Sequence, residues 1–391
     1  MSESGVELIA PCHFGLEAVV KRELQGLGFS VTDTRDGRVT FAAKDTGGIV
    51  RANLHLRSAE RVLLRIGRFP ARNWDELFEG VRALPWENWL PRDAKFWVTK
   101  AVSVRSKLFS PSDIQRIVKK AIVERMKERY RLERFPEDGE SYPLRVFLMD
   151  DMVDVCLDTT GDSLHKRGYR KSNVTAPIAE NLAAALLMLT PWRPDRILVD
   201  PFCGSGTFLI EAAMMAAHIA PGIGRSFTAQ RWENLIPNEV WKECRREAYA
   251  AIDTEIETDL QGYDIDPQAI EVAKISAREA GVEELVHFQT RDVRALSHRK
   301  KYGFIVTNPP YGERLGAEDK ESLEALYRVL GERYAALECW SMYVITSYPD
   351  AERAIGRKAD KNRKLYNGMI ETRFYQYFGP KPPRRGAASH E

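Results

Sequence analysis

Four short stretches in this 391-residue sequence combine side chains and glycines at spacings that could hold a small charged ligand and act on an amine. The one that says most is Asn308-Pro309-Pro310-Tyr311, directly after the apolar run Phe304–Thr307. Two prolines make a rigid turn. At the open end of a sheet, that turn can aim the Asn308 side-chain oxygen and the Pro309 carbonyl at one NH2 group. Two acceptors pulling on an exocyclic amine localise its lone pair toward an electrophilic methyl carbon. Tyr311 adds a ring on which an extruded base can stack. Positioning and electrostatics can carry such a displacement without a metal or a strong base. The plain alternative is a stiff loop, which the preceding strand and the other motifs disfavour.

The second stretch is Val199-Asp200-Pro201-Phe202-Cys203-Gly204-Ser205-Gly206-Thr207. An apolar strand ends at Asp200, a glycine-rich turn follows, and a helix is predicted to begin near Thr207. Glycines let the backbone approach a ligand closely, and free N–H groups at a helix start suit a carboxylate. No third glycine arrives at dinucleotide-binding spacing and no Gly-Lys-Ser/Thr is present, which argues against both nucleotide loops. Asp200 could face a ligand ammonium, so an amino-acid-like ligand fits better than a pyrophosphate. Cys203 reads as a small spacer rather than a nucleophile. A tight strand-to-helix turn with no ligand is the alternative.

The third is Gly262-Tyr263-Asp264-Ile265-Asp266, where an acid at a strand tip could bind ribose hydroxyls. A solvated acidic turn or helix cap competes with that role, more for Asp266 than for Asp264. Asp264 lies 58 residues after Gly206, where about 20 is usual, so residues 221–258 are expected to be an insertion. The fourth is Arg291-Asp292-Val293, whose carboxylate could accept from an adenine amine or simply head a helix.

These motifs need strands and helices to hold them, and the chain supplies both. From about residue 176, short apolar strands (Ile197–Asp200, Gln261–Asp264, Val286–Gln289, Phe304–Thr307, Met342–Thr346) alternate with helical patterns, as in a parallel α/β sheet. Asn367-Gly368 between two strand-like runs predicts a closing antiparallel hairpin. Upstream, residues 5–41 read strand, helix, strand, with a hairpin turn at Asp36-Gly37. A second α+β stretch holds strands at Phe96–Ser103, Leu144–Leu148 and Val153–Leu157. Its clearest helix opens at Ser110-Pro111.

Composition narrows the class. The chain is 44% hydrophobic and 29% charged, enough apolar content for a real core and against disorder. No apolar run approaches the roughly 20 residues of a membrane span. With no secretory signal visible and five scattered cysteines that never form Cys-x-x-Cys, a cytoplasmic protein without disulfides or a metal site is expected. Net charge is only +2, yet residues 92–134 hold 13 Lys/Arg against 5 Asp/Glu, a hint of a polyanionic partner.

A parallel sheet that ends in an antiparallel hairpin is the layout of the class I methyltransferase fold, and the motifs together resemble S-adenosylmethionine-dependent methyltransferases that modify exocyclic amines. The whole chain resembles the family that joins a THUMP domain to a guanine-N2 methyltransferase of large-subunit ribosomal RNA. Pro-Cys-His-Phe-Gly-Leu-Glu near the start, Asn-Val-Thr-Ala-Pro-Ile-Ala-Glu-Asn-Leu-Ala, the four motifs, Gly-Glu-Arg-Leu-Gly after Tyr311 and Lys-Leu-Tyr-Asn-Gly near the end carry the likeness.

The resemblance implies a ferredoxin-like α+β segment over 1–43, a THUMP domain over 44–158, a basic linker over 159–175, a Rossmann-like methyltransferase domain over 176–379 and a disordered tail over 380–391. It implies S-adenosylmethionine as cofactor. Asp200 to Thr207 would cradle its methionine part, Asp264 its ribose, and Ile265, Asp266, Asp292 and Val293 would surround the adenine side. Asn173, Pro177 and Asn181 would close over it, and Asn308 to Tyr311 would grip the target amine, with Asn308 also beside the cofactor. RNA is the implied partner, held through phosphates by Lys119, Lys120 and Lys127 and by Lys166, Arg167, Arg170 and Lys171. Ribosomal RNA is preferred over transfer RNA by resemblance alone, and oligomeric state stays open. An adenine-N6 methylase, which shares Asn-Pro-Pro-Tyr, and a non-catalytic RNA-binding protein are the rival readings.

Overall fold

The computed structural model describes residues 5–170, 178–311, 317–368 and 370–382, with the backbone alone for 317–320. The chain divides into two compact units. The first comprises residues 1–12, 20–164 and 221–250, and the second 13–19, 165–220 and 251–391.

In the first unit, strands β1 (Val6–Pro11), β2 (Ser30–Arg35), β3 (Arg38–Ala43), β4 (Leu63–Pro70), β5 (Lys95–Val104), β6 (Ser141–Met149) and β7 (Met152–Asp158) make one sheet, ordered β2-β3-β1-β4-β7-β6-β5. The hairpin predicted at Asp36-Gly37 joins β2 to β3, with Gly37 at φ +72. Antiparallel pairing of Ile9 with Leu63 fuses the first α+β segment to the second through a continuous sheet. The helix Pro111–Tyr130 starts as its sequence dictates, with the Ser110 hydroxyl accepting from the Asp113 N–H at 3.4 Å. Its stripe of Ile114, Val118, Ala121, Ile122 and Met126 is buried.

The 221–258 stretch behaves as an insertion with an unforeseen destination. Residues 221–250 cluster with the first unit, because their apolar residues find partners there. Along the helix Asn238–Ala250, Trp241, Cys244 and Ala248 face inward at helical spacing. Trp232 is fully buried. Its ring stacks on Tyr142 at 4.8 Å, and its Nε1–H donates to the Ser141 carbonyl at 2.9 Å. The Ala229 N–H donates to the Thr159 carbonyl at 3.0 Å.

In the second unit, β8 (Leu198–Asp200), β9 (Leu260–Asp264), β10 (Val286–Thr290), β11 (Phe304–Thr307), β12 (Ser341–Thr346), β13 (Lys361–Asn367) and β14 (Ile370–Tyr377) are ordered β10-β9-β8-β11-β12-β14-β13. The first five run parallel, and β14 lies antiparallel between β12 and β13. β8, β11 and β12 are buried at every residue, as strands covered on both faces must be. The strand order reverses at β8, and ligands of open α/β sheets bind outside the carboxyl ends of strands at such a switch. The tips of β8, β9 and β11 carry Asp200, Asp264 and Thr307.

Candidate active site

Asp200 ends the central strand with only 2% of its surface exposed. Its Oδ1 accepts from the Phe202 N–H at 3.1 Å and from the Thr307 hydroxyl at 2.5 Å. Burial pushes the carboxyl up to about 7. The negative Asp264 nearby adds to that shift, while the two hydrogen bonds oppose it. A buried acid with its pKa raised in this way, at the switch point of an open sheet, is a candidate functional residue.

The turn after Asp200 depends on its glycines. Gly204 and Gly206 sit at φ +51 and +79, where other residues are strained. A Cβ on Gly206 would come within 2.6 Å of Phe288, whereas one on Gly204 would meet nothing within 4 Å. The turn is therefore packed from below and open above. Asp264 ties it to β9: its Oδ2 accepts from the Gly204 N–H and its Oδ1 from the Asp266 N–H, each at 3.0 Å. Both oxygens keep a second lone pair. The Cys203 N–H donates to the Tyr263 carbonyl at 2.9 Å. Burial holds the Cys203 thiol well above its usual range, so it stays protonated and serves as a filler.

The turn Asn308-Pro309-Pro310-Tyr311 leaves β11 one residue past Thr307. Tyr327 donates its hydroxyl to the Pro310 carbonyl at 3.1 Å and shares a 2.6 Å hydrogen bond with Thr346. On the other side, the Asn367 Nδ2 donates to the Tyr311 Oη at 3.5 Å. Thr307, Tyr327 and Asn367 escape the reading from sequence. Thr307 carried one signal, a polar residue closing an otherwise apolar strand. Tyr327 and Asn367 reach the turn only through tertiary structure.

The other candidates divide. Pro201 and Phe202 lie within the turn, and the hydroxyls of Ser205 and Thr207 are 3.4 Å apart. Asn181 is buried, its Oδ1 accepting from the Leu182 N–H at 3.0 Å. Ile265 is 69% exposed at the tip of β9, while Val293 packs in the core. Asp266 caps the helix Pro267–Glu279 by accepting from the Gln268 N–H at 2.8 Å. Asp292 caps the turn Val293–Ala295, with its two oxygens on the Arg294 N–H at 2.7 Å and guanidinium at 2.8 Å. Asn173, Pro177 and Lys171 lie outside the described residues, as do 312–316 of the Gly-Glu-Arg-Leu-Gly run.

Among the basic candidates, Lys120 and Lys166 are exposed and Lys127 is half-buried. Lys119 pairs with Glu137 at 2.9 Å, and the Lys120 ammonium lies 5.8 Å from the Phe78 ring centre. Arg167 is a correction. Its side chain is 1% exposed and lies 3.3 Å from the fully buried Glu211, which also accepts from the Tyr169 hydroxyl at 3.1 Å. The polar Glu211 in an otherwise apolar helix draws the arginine inward and off the surface. Arg170 likewise turns in. It pairs with Glu180 at 3.5 Å and donates to the Thr207 hydroxyl at 2.7 Å, at the end of the glycine turn.

The second unit, with its strand order, closing hairpin and glycine turn after the central strand, defines a class I methyltransferase. Three family descriptions match along the chain: "RlmL ferredoxin-like domain" over residues 7–63, "THUMP domain" over 71–158 and "RMKL-like, methyltransferase domain" over 167–376. "Putative RNA methyltransferase YpsC" of Bacillus subtilis (strain 168) is 43% identical over 97% of this chain and 97% of that protein. "Ribosomal RNA large subunit methyltransferase K/L" of Syntrophotalea carbinolica is 36% identical over 96% of this chain, which spans 54% of that longer relative. The solved structure of "SMU.472, a putative methyltransferase complexed with SAH" is 42% identical, with a TM-score of 0.90, over 98% of this chain and 100% of that one. The chain belongs to the RMKL-like family of S-adenosylmethionine-dependent methyltransferases that carry a THUMP domain.

Proposed function

We propose that this protein transfers a methyl group to the exocyclic N2 of a guanosine in large-subunit ribosomal RNA. One observation carries the reading: the buried Asp200 and the Asn308 turn are joined through Thr307, so a ligand cradle and an amine grip share one hydrogen-bonded base. The open backbone at Gly204, the poised Asp200 and the spare lone pairs of Asp264 fit S-adenosylmethionine. When bound, that cofactor supplies an electrophilic methyl on a sulfonium. Asp200, once ionised, holds an ammonium, the start of the helix Thr207–Ala216 faces a carboxylate, and Asp264 accepts from ribose hydroxyls. Arg170 steadies Thr207 from behind. Asn308 and the Pro309 carbonyl accept from the target amine and fix its lone pair, and Tyr311 stacks on the base.

The choice of guanine N2 is supported by the Gly-Glu-Arg-Leu-Gly run, and the choice of large-subunit ribosomal RNA by the names of the K/L relatives. RNA as substrate is supported by the THUMP match and by the exposed Lys120 and Lys166. The test is nucleoside mass spectrometry after incubating the protein with isotope-labelled S-adenosylmethionine and ribosomal RNA, transfer RNA or DNA from cells that lack this gene. Labelled N2-methylguanosine in ribosomal RNA is the expected product. Labelled N6-methyladenine would overturn the choice of base, and label confined to transfer RNA or DNA would overturn the substrate.

A further inference from the structure

We propose that a second RNA contact lies on the methyltransferase unit itself, where Phe14 stacks on a base flanking the target nucleotide and the edge strand β13 holds the adjoining phosphates. The inference rests on the methylation reading above and deepens it.

Phe14 is 60% exposed. A single exposed apolar residue is ordinary, but this ring stands on a built turn. The Leu16 N–H donates to the His13 carbonyl at 3.1 Å and the Gly15 N–H to the Glu17 Oε1 at 3.1 Å, with Gly15 at φ +84. Although it follows β1, the turn belongs to the second unit, since residues 13–19 cluster there. A Cβ on Gly15 would touch the Leu365 side chain at 3.5 Å and the Lys364 carbonyl at 3.6 Å. The turn thus lies within van der Waals reach of β13, and its glycine is required by the positive φ rather than by space.

Two residues along the same face of that strand, about 7 Å away, comes Asn367, whose amide reaches the Tyr311 hydroxyl. The exposed ring and the amine-gripping turn are therefore the two ends of one short stretch of β13. A nucleotide held at Tyr311 leaves its neighbour within reach of Phe14.

The charge of the strand matches the backbone of such a ligand. On that same face β13, an edge strand, carries Lys361 and Arg363, while Lys364 and its cross-strand partner, the exposed Arg373, stand on the opposite face. Glu371 is the one acid of the two strands, and it is paired with Lys364 at 2.8 Å. The Arg363 Nε is buried without a hydrogen-bond partner. Lysines on an edge strand also deter pairing with other sheets, but that role gives no reason for a displayed phenylalanine next to them. Together, a stacking ring and a basic track are the combination that single-stranded nucleic acid selects.

The experiment measures fluorescence anisotropy of a labelled twelve-nucleotide single-stranded RNA with the full chain and its Phe14→Ala, Phe14→Leu, Phe14→Trp and Lys361→Glu variants. Phe14→Ala should weaken binding about tenfold, equivalent to about 1.4 kcal/mol, within the range of base–aromatic stacking. Phe14→Trp should restore it and Phe14→Leu should not. Lys361→Glu should lower the slope of log affinity against log salt by about one. Unchanged affinity in Phe14→Ala, or rescue by leucine equal to that by tryptophan, overturns the stacking role. An unchanged salt slope overturns the phosphate track. Methyl transfer is scored separately, so a wild-type chain that binds this RNA through Phe14 yet methylates none would sink the reaction and spare the surface.

Discussion

The hydroxyl of Thr307 donates to the carboxylate of Asp200 across 2.5 Å, linking the tips of two neighbouring strands. On the function proposed above, it makes the electrostatics at Asp200 depend on the strand that launches the Asn308 turn. Neither residue is exposed enough to trade this bond for water.

Asp200 should therefore impose a pH dependence on cofactor binding. Its carboxyl titrates near 7 in the free protein, so affinity for S-adenosylmethionine should drop by up to about tenfold per pH unit below that point and level off above it. Stability runs the other way. Between the unfolded value near 4 and about 7, the folded chain retains a proton that the unfolded chain has lost, so stability without cofactor declines as pH rises through that window. Calorimetric titration from pH 6 to 8.5 checks the first effect, and Asp200→Asn should give a flat, weak profile. Thr307→Val removes a bond that favours the ionised form and should move the inflection upward.

Asn308→Ala should lower methyl transfer by about a hundredfold or more, the scale set by loss of one preorganised polar contact. Cofactor affinity should stay within about twofold. Single-turnover transfer with labelled cofactor, alongside calorimetry, measures both. A variant that keeps its turnover would mean that the target amine is not held at this turn.

Glu211→Ala should destabilise the protein by about 3–5 kcal/mol, because it removes the carboxylate that pairs with the buried Arg167 guanidinium. Arg167→Ala should also act on stability and leave the salt slope of RNA binding unchanged. Urea denaturation read beside RNA titration separates this structural role from a phosphate contact.

Charge reversal at Lys120 and at Lys127 should each weaken RNA binding and lower its salt slope by about one. Lys119→Glu should do less, since Lys119 already spends its charge on Glu137. Binding in a potassium chloride series reports all three slopes. Equal effects at Lys119 and Lys120 would show that the Glu137 pair opens when RNA binds.

Much of the fold is legible because its signals are local. Ser110-Pro111 caps a helix, Asp36-Gly37 turns one hairpin and Asn367-Gly368 another. The strand tips at Asp200, Asp264 and Thr307 fall where the sequence places them, because buried parallel strands read as short apolar runs. What stayed hidden depends on partners distant in sequence. Nothing near Arg167 announces that Glu211, 44 residues on, will draw it inward. Asp266 and Asp292 look alike as ligands or caps, and their backbone contacts favour the caps. Tyr327 reaches the Pro310 carbonyl from the helix Ala317–Ala335, 17 residues further along the chain.

The return of residues 221–250 to the first unit bears on how the chain is made. The strands of that sheet are all synthesised once residue 158 has left the ribosome, yet Ser141 waits for Trp232, 91 residues later. At roughly 5–20 residues per second, translation leaves that gap open for about 5–18 s. During the wait, the stacking face of Tyr142 is bare, and of the second sheet only β8 has been synthesised. Neither half can finish as an independent product of its own stretch of message. Nascent chains stalled just before residue 232 should therefore be cut readily by proteases within the first unit, and chains in which residues 221–250 have emerged should resist cleavage there while residues 165–220 stay open to it.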